Sequence, residues 1–263
     1  LHVNSGVDIA GTLTADSLSV TDVINGQVSS LGNHTTDDLA EGTSNLYMIS
    51  AKRALIETMA HAIDSLSCTW LEYQGVTYEL VLIGDQCWFA ENLQSELYAD
   101  GTAIPNVTDA AEWSGLSTGA RCAYDNNDNN IATYGTLYNW YAVDDSRGLC
   151  PSGWHVPTDA EWTALTDHLG GESVAGGKMK SSTSDSPAWN GTNSSGFSAL
   201  PGGGREYLTS DFFDGGNGGS WWSSSLYDGS EWAWYRFIGS HVDEVFQYFN
   251  IPRYGFSVRC VRD

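Results

Sequence analysis

The chain has 263 residues, room for two domains of ordinary size. Its 33 Asp and Glu against 11 Lys and Arg give a formal charge of −22, which repels phosphate backbones and excludes a nucleic-acid partner. Only 17% of residues are charged, while 29 are Gly and 11 are Trp, a balance that fits a loop-rich globular protein better than a helical bundle or a disordered chain. No apolar run reaches the roughly 18–20 residues a membrane span needs, so membrane insertion is not expected. Five cysteines, Cys68, Cys87, Cys122, Cys150 and Cys260, form no C-x-x-C pair, which argues against zinc. One or two disulfides and free buried thiols both remain open.

In chain order, Val7–Val20 alternates apolar residues with Thr, Ser and Gly, a strand pattern. A lone strand of this length cannot bury its apolar side, so it needs neighbours from other segments or other copies. Ser50 is a candidate N-cap for a helix over Ser50–Met59. Between them, Thr35-Thr-Asp-Asp-Leu-Ala-Glu-Gly-Thr-Ser-Asn-Leu-Tyr47 resembles a segment that recurs in bacteriophage tail fibres. That resemblance implies a homotrimeric shaft or collar.

Gln74–Leu93 reads as a β-hairpin turning at Gly84-Asp85. Residues 94–120 read as loop. Tyr124–Asn130 is a polar loop in which Asp125 and Asp128 are candidate Ca²⁺ ligands, set against a solvated turn of Asn and Asp. No other cofactor is expected. Tyr134–Val143 reads as one short aromatic helix. Next, Thr158 and Glu161 form a Thr-x-x-Glu capping box for a helix whose apolar face is Trp162, Leu165 and Leu169, stopped at Gly170. His155, between Trp154 and Val156, reads as structural.

The ordered segments Ile83–Leu93, Tyr134–Ala142, Cys150-Pro-Ser-Gly-Trp-His-Val-Pro-Thr-Asp-Ala-Glu-Trp162, Gly196–Gly203, Trp222–Ser225 and Gly255–Val261 resemble the Fibrobacter succinogenes major paralogous domain family. The resemblance spans about residues 70–263. It implies an α+β, C-type-lectin-like fold of the kind shared with formylglycine-generating enzymes. We therefore expect two parts: a β-rich, tail-fibre-like oligomerisation segment with a short helix over 1–66, and a ligand-binding domain over 67–263.

The same fold carries the variable proteins of diversity-generating retroelements, in which adenines of chosen codons are rewritten. An AAC codon so treated yields Phe, Tyr, Ser, Asn, Arg and others, but never Lys, Glu, Gln, Met or Trp. In Val245–Tyr254 only Gln247 falls outside the reachable set, and no Lys follows residue 180. Glu206, Glu231, Glu244 and Trp232 depart from the scheme.

Trp221, Trp222, Phe256, Val258 and Val261 are expected in the core. The remaining aromatics of the last sixty residues are too numerous for a small sheet to bury, and Tyr and Trp suit an adaptable binding surface. The expected ligand-binding residues are Glu206, Tyr207, Leu208, Ser210, Phe212, Tyr227, Asp228, Ser230, Trp232, Tyr235, Phe237, Ser240, His241, Asp243, Phe246, Tyr248, Phe249, Asn250, Arg253 and Tyr254. No Ser-His-Asp set, H-E-x-x-H or G-x-S-x-G is visible, and Pro201-Gly-Gly-Gly-Arg205 lacks the Lys-Ser/Thr of a phosphate loop. The expectation is a non-enzymatic, homotrimeric receptor-binding tip of a phage tail fibre, part of the virion, that adsorbs to a bacterial surface protein or glycan. A bacterial cell-surface adhesin or carbohydrate-binding module is the first alternative, and a formylglycine-generating type of enzyme, relying on Cys150 and Cys260, is the second.

Overall fold

The structure, a computed structural model, describes residues 68–229 and 231–263. The strand, tail-fibre-like segment and helix expected within residues 1–66, and the site residue Ser230, lie outside the described residues.

The protein is mixed α and β. A meander of β1 (Trp70–Tyr73), β2 (Val76–Ile83) and β3 (Gln86–Phe89) opens the first sheet. The β2–β3 turn falls at Gly84-Asp85, as the hairpin reading expects, with Ile83 opposite Gln86. Residues 94–120 are not all loop: α1 (Ala110–Ser114) forms where the Asp109 carboxylate accepts the Glu112 N–H. Its Trp113 is fully buried and donates its indole N–H to the Arg253 carbonyl at 2.8 Å.

Strand β4 (Arg121–Cys122) pairs with β5 (Leu137–Tyr138) in a two-stranded sheet. Between them runs the polar loop, two 3₁₀ turns leading into α2 (Ile131–Tyr134). The single helix expected over 134–143 is broken. Gly135 takes φ of 78°, β5 follows, and α3 (Trp140–Val143) starts afresh. At the break a Cβ on Gly135 would lie 2.5 Å from Asn92 Cβ, and the buried Asn139 carboxamide starts the next helix. It accepts the N–H groups of Ala120 and Ala142 and donates to the Thr118 carbonyl, which caps α3 and pins the preceding turn.

Strand β6 (Trp154–His155) leads to α4 (Asp159–His168), which carries the expected capping box: the Glu161 N–H donates to Thr158 Oγ1, and the Thr158 N–H donates back to Glu161 Oε2 at 2.7 Å. Trp162, Leu165 and Leu169 are buried, and Gly170 takes φ of 104° just past the helix end. Helix α5 (Glu172–Met179) follows directly.

The second sheet is built from β7 (Gly202–Arg205), β8 (Phe212–Gly215), β9 (Gly218–Leu226), β10 (Ala233–Gly239) and β11 (Val245–Asn250), in the order β11-β10-β9-β7-β8. Finally β12 (Val261–Arg262) returns to the first sheet between β3 and β6.

Two neighbouring tryptophans organise the core. Successive side chains on a strand point to opposite faces, so β9 sends Trp222 one way and Trp221 the other. Trp222 joins Tyr78, Phe89, Tyr138, Phe256 and Val258 between the sheets. Trp221 joins Trp88, Trp162, Leu165, Phe197, Ile238 and Val245 beneath α4 and α5. All five residues expected in the core, Trp221, Trp222, Phe256, Val258 and Val261, are buried.

Several basic side chains of the described residues are also inside. Arg121, Lys180, Arg205, Arg236 and Arg259 are buried. Arg259 donates to the carbonyls of Phe89, Phe197 and Ser198 and to Asn92 Oδ1, and lies 4.3 Å over the Phe197 ring. Arg205 donates to the carbonyls of Val107 and Thr108 and lies 4.3 Å over Trp113. These forks join loops whose carbonyls would otherwise be buried without donors. Cysteine pairing, open from the sequence, resolves as Cys68–Cys87 and Cys150–Cys260, with Cys122 free and buried. The second bridge links residues 110 apart and joins the lead-in to β6 with the lead-in to β12.

Candidate functional site

The two sides of β10 and β11 carry different residues because their register alternates. Tyr235 lies opposite Tyr248 and Phe237 opposite Phe246, while Arg236 lies opposite Gln247 and Ile238 opposite Val245. The second set faces α4 and α5. Arg236 Nη1 donates to Asp159 Oδ1 at 2.7 Å, and Gln247 Nε2 donates to both oxygens of the same carboxylate at 2.9 and 3.0 Å. Asp159 is the first residue of α4, so one carboxylate fastens the helix to two strands. Gly176 in α5 allows the close approach of the β10–β11 turn, since a Cβ there would sit 2.8 Å from the Asp243 carbonyl oxygen.

The first set makes a ring row on the other side. Phe246 stacks on Tyr248 with ring centres 5.6 Å apart, Tyr248 meets Tyr235 at 5.9 Å, and Tyr235 meets the core ring Phe256 at 4.6 Å. From Phe256 the row continues to Tyr254 at 5.5 Å and on to Tyr207 at 5.5 Å. At its far end Phe237 lies on Gly218, where a Cβ would come within 2.6 Å of the ring. None of the expected rings between residues 227 and 254 is buried. Trp232, Tyr248 and Phe249 are 44%, 45% and 39% exposed, and the others are half-buried.

Beside this row lies a cleft of about 410 Å³, lined by Glu206, Thr209, Asp211, Phe213, Tyr235, Asn250, Tyr254 and Phe256. Its Glu206–Asp211 rim is a tight turn held by Glu206 Oε2, which accepts the N–H groups of Leu208 and Thr209. Burial, then the charges of Tyr248, Tyr254 and Asp214, push the Tyr235 hydroxyl up to about 12. Tyr254 is raised by burial and by the nearby Glu206 charge.

Of the residues expected from sequence, the structure brings Glu206, Tyr207, Tyr235, Phe237, Phe246, Tyr248, Asn250 and Tyr254 together on this side. Tyr227, Trp232 and Phe249 gather elsewhere with Trp234, Tyr227 stacking on Phe249 at 4.0 Å. Leu208 and Asp228 are exposed on turns. His241 and Asp243 are exposed on the β10–β11 turn, with Asp243 3.6 Å from Lys180.

Four of the expected residues are engaged by the frame. Ser210 is buried, and its hydroxyl donates to the Ala110 carbonyl. The Ser240 hydroxyl is held by the frame, donating to the Asn217 carbonyl and accepting the Trp189 indole N–H. Arg253 donates Nε to the Leu116 carbonyl. Phe212 packs against Tyr124 and the Arg205 guanidinium, and its neighbour Phe213 lines the cleft. Thr209, Asp211 and Phe213 were missed from the sequence. The Phe212-Phe213 pair was the available signal, but only the β7–β8 register tells which ring faces which way.

Among the described residues no group of three or more His, Cys, Asp or Glu side chains is placed to hold a metal ion. The polar loop with Asp125 and Asp128 is accounted for by its own turns, with Asn127 Oδ1 accepting the Asn129 N–H and Asn130 Nδ2 donating to the Tyr124 carbonyl. Neither Cys150 nor Cys260 is a free thiol, since they are bonded to each other. His155, read as structural, lies between two carboxylates, Nδ1 at 2.6 Å from Asp263 and Nε2 at 2.8 Å from Glu161.

A family model matches residues 81–262, from within β2 to within β12. The chain belongs to the Fibrobacter succinogenes major domain family. In this member of the family the matched span takes in the helices, the whole second sheet, the ring row and the cleft. No curated protein and no solved structure matches the chain.

Proposed function

We propose that this family member is a receptor-binding adhesin on a C-type-lectin-like scaffold, and that the ring row with its cleft is the surface that contacts a bacterial surface protein or glycan. The observation that carries this reading is the division within β11. Phe246 and Tyr248, both reachable by adenine-directed change of an AAC codon, lie on the open side. Gln247, unreachable, is bonded to Asp159 at the helix side. Side chains free of frame contacts can be exchanged without unfolding the sheet, and exposed rings supply contact area at low rotamer cost. Cys150 and Cys260, on which an enzymatic reading relied, are bonded to each other and stand in the scaffold between the lead-ins to β6 and β12.

We place the adhesin at the tip of a phage tail fibre, as a homotrimer, on the strength of the tail-fibre-like segment within residues 35–47. Three faces per tip would multiply the effective affinity for a repeated surface ligand. Two measurements test the reading. Labelled wild-type protein is scored for adsorption to a panel of bacteria beside the double variant Phe246→Asp, Tyr248→Asp. Adsorption lost in the variant with unchanged thermal unfolding is the expected result, and equal adsorption by both proteins refutes the assigned surface. Light scattering of the full chain is expected to give a trimer mass; a monomer contradicts the fibre placement. A reverse transcriptase gene and a near-copy of the 3′ coding end, differing at adenines, are the expected signature of diversification in the flanking DNA. A signal peptide or lipobox encoded upstream would instead put the same binding surface on a bacterial cell.

A further inference from the structure

The cleft lining holds two carboxylates, Glu206 and Asp211, and no basic side chain. Neither acid takes part in an ion pair among the described residues, where such pairs include Arg121–Glu96, Arg147–Asp145, His155 with Glu161 and Asp263, Lys180–Asp243 and Arg236–Asp159. Glu206 spends one oxygen on its own turn. The Asp211 carboxylate accepts no hydrogen bond from the described residues; only its backbone is engaged, its N–H donating to Thr209 Oγ1 and its carbonyl accepting the Glu206 N–H. The nearest candidates for an internal counter-ion are committed elsewhere, Arg205 in the core and Arg253 on the Leu116 carbonyl. Between the acids and the core stand aromatic rings: Tyr254 is 5.5 Å from Phe256 and 6.2 Å from Phe213, and Tyr235 is 4.6 Å from Phe256.

We propose that this cleft receives an organic cation carried by the ligand, an alkylammonium or guanidinium group held against the Tyr235 and Tyr254 rings and facing Glu206 and Asp211, a proposal that rests on the ligand-binding reading of this surface. Ring faces carry negative charge density and attract cations, most of all where water is partly excluded. Unpaired carboxylates on the rim add a Coulomb attraction that acts over roughly a Debye length of 8–10 Å. Burial is the first cause of the upward displacement of both tyrosine hydroxyls, and at Tyr254 the Glu206 charge adds to it. An anionic ligand group would meet like charge here with no basic partner. A neutral sugar would use the rings and leave both acids unpaired.

The test titrates the full chain with choline, Nα-acetyl-lysine amide and Nα-acetyl-arginine amide. The neutral isosteres 3,3-dimethylbutanol and Nα-acetyl-norleucine amide serve as controls, with tyrosine NMR shifts as the readout. At least one cation is expected to bind about tenfold tighter than its neutral counterpart, and added salt should shrink that preference. Choline as the best probe points to a substituted glycan; the lysine or arginine amide points to a protein ligand. Asp211→Asn lies on an exposed turn and should keep the fold while lowering cation affinity severalfold; Tyr254→Leu should lower it further. Equal binding of cation and isostere, or affinity unchanged in the Glu206→Gln, Asp211→Asn double variant, overturns the proposal. Cell adsorption separates the two levels. A protein that ignores every cation yet adsorbs to cells loses this proposal and keeps the adhesin reading. One that binds the cation yet adsorbs to no cell does the reverse.

Discussion

The two sides of the β10–β11 hairpin carry different residues and are held in different ways. On the helix side each position has a fixed partner. Trp221 donates to Asn92 Oδ1, Arg236 and Gln247 share the Asp159 carboxylate, and Ile238 and Val245 are buried under α4 and α5. On the open side Phe237, Phe246 and Tyr248 touch chiefly one another. The lesson is that one strand can serve as frame and as contact surface at once, because alternation separates the two duties by a single residue.

The sharpest way to break the comparison is a large truncation on the helix side. Trp221→Ala removes a fully buried ring and one of the two donors to Asn92 Oδ1, so it should cost about 3–5 kcal/mol in urea unfolding. A loss below about 1 kcal/mol would mean that this side is not the frame. Next comes the covalent tie. Replacing Cys150 and Cys260 together by Ala opens a link between residues 110 apart, and should cost about 2–5 kcal/mol by the same measurement.

Smaller changes sharpen the contrast between neighbours. Gln247→Ala loses two hydrogen bonds to a carboxylate and should cost about 1.5–3 kcal/mol. Tyr248→Ser, one residue away and 45% exposed, should stay within about 1 kcal/mol. Equal costs for the pair would erase the distinction on which the proposed function stands.

How much of this was legible in the sequence varies with the range of the interactions. The 158–161 capping box and the Gly84-Asp85 turn were readable because their partners are three residues apart or fewer. The core role of Trp221, Trp222 and Phe256 was readable from residue type. The break at Gly135 was not, because the segment that packs against it, Asn92 and Leu93, lies about forty residues earlier, and Thr136 donates its N–H to the Leu93 carbonyl. Cysteine pairing was hidden for the same reason. At the site, the choice between Phe212 and Phe213 needed the strand register, and the buried Ser210 needed the position of α1. Asp211 carried no local signal at all: an acid in a turn is ordinary, and only its having no ion pair among the described residues makes it notable.

The smallest expected effect lies on the frame side and is read through pH. His155 in β6 bridges Glu161, the capping residue of α4, and Asp263 just after β12. Burial alone would lower its imidazole; hydrogen bonds and charge from Asp263 and Glu161 outweigh that and hold it above the usual value near 6.5. A base raised in the folded state binds its proton more tightly there than when unfolded. Its stabilisation is therefore complete below about pH 6.5 and fades as pH rises through the higher folded value. Both the imidazole and Asp263 reach solvent, so the gain should stay below about 1 kcal/mol. NMR titration of His155 should show a midpoint above 6.5, and His155→Gln should flatten this part of the stability profile between pH 6 and 8. A midpoint at or below 6.5 would remove the link between α4 and the first sheet from the frame, leaving the capping box and the Asp159 carboxylate to hold that helix.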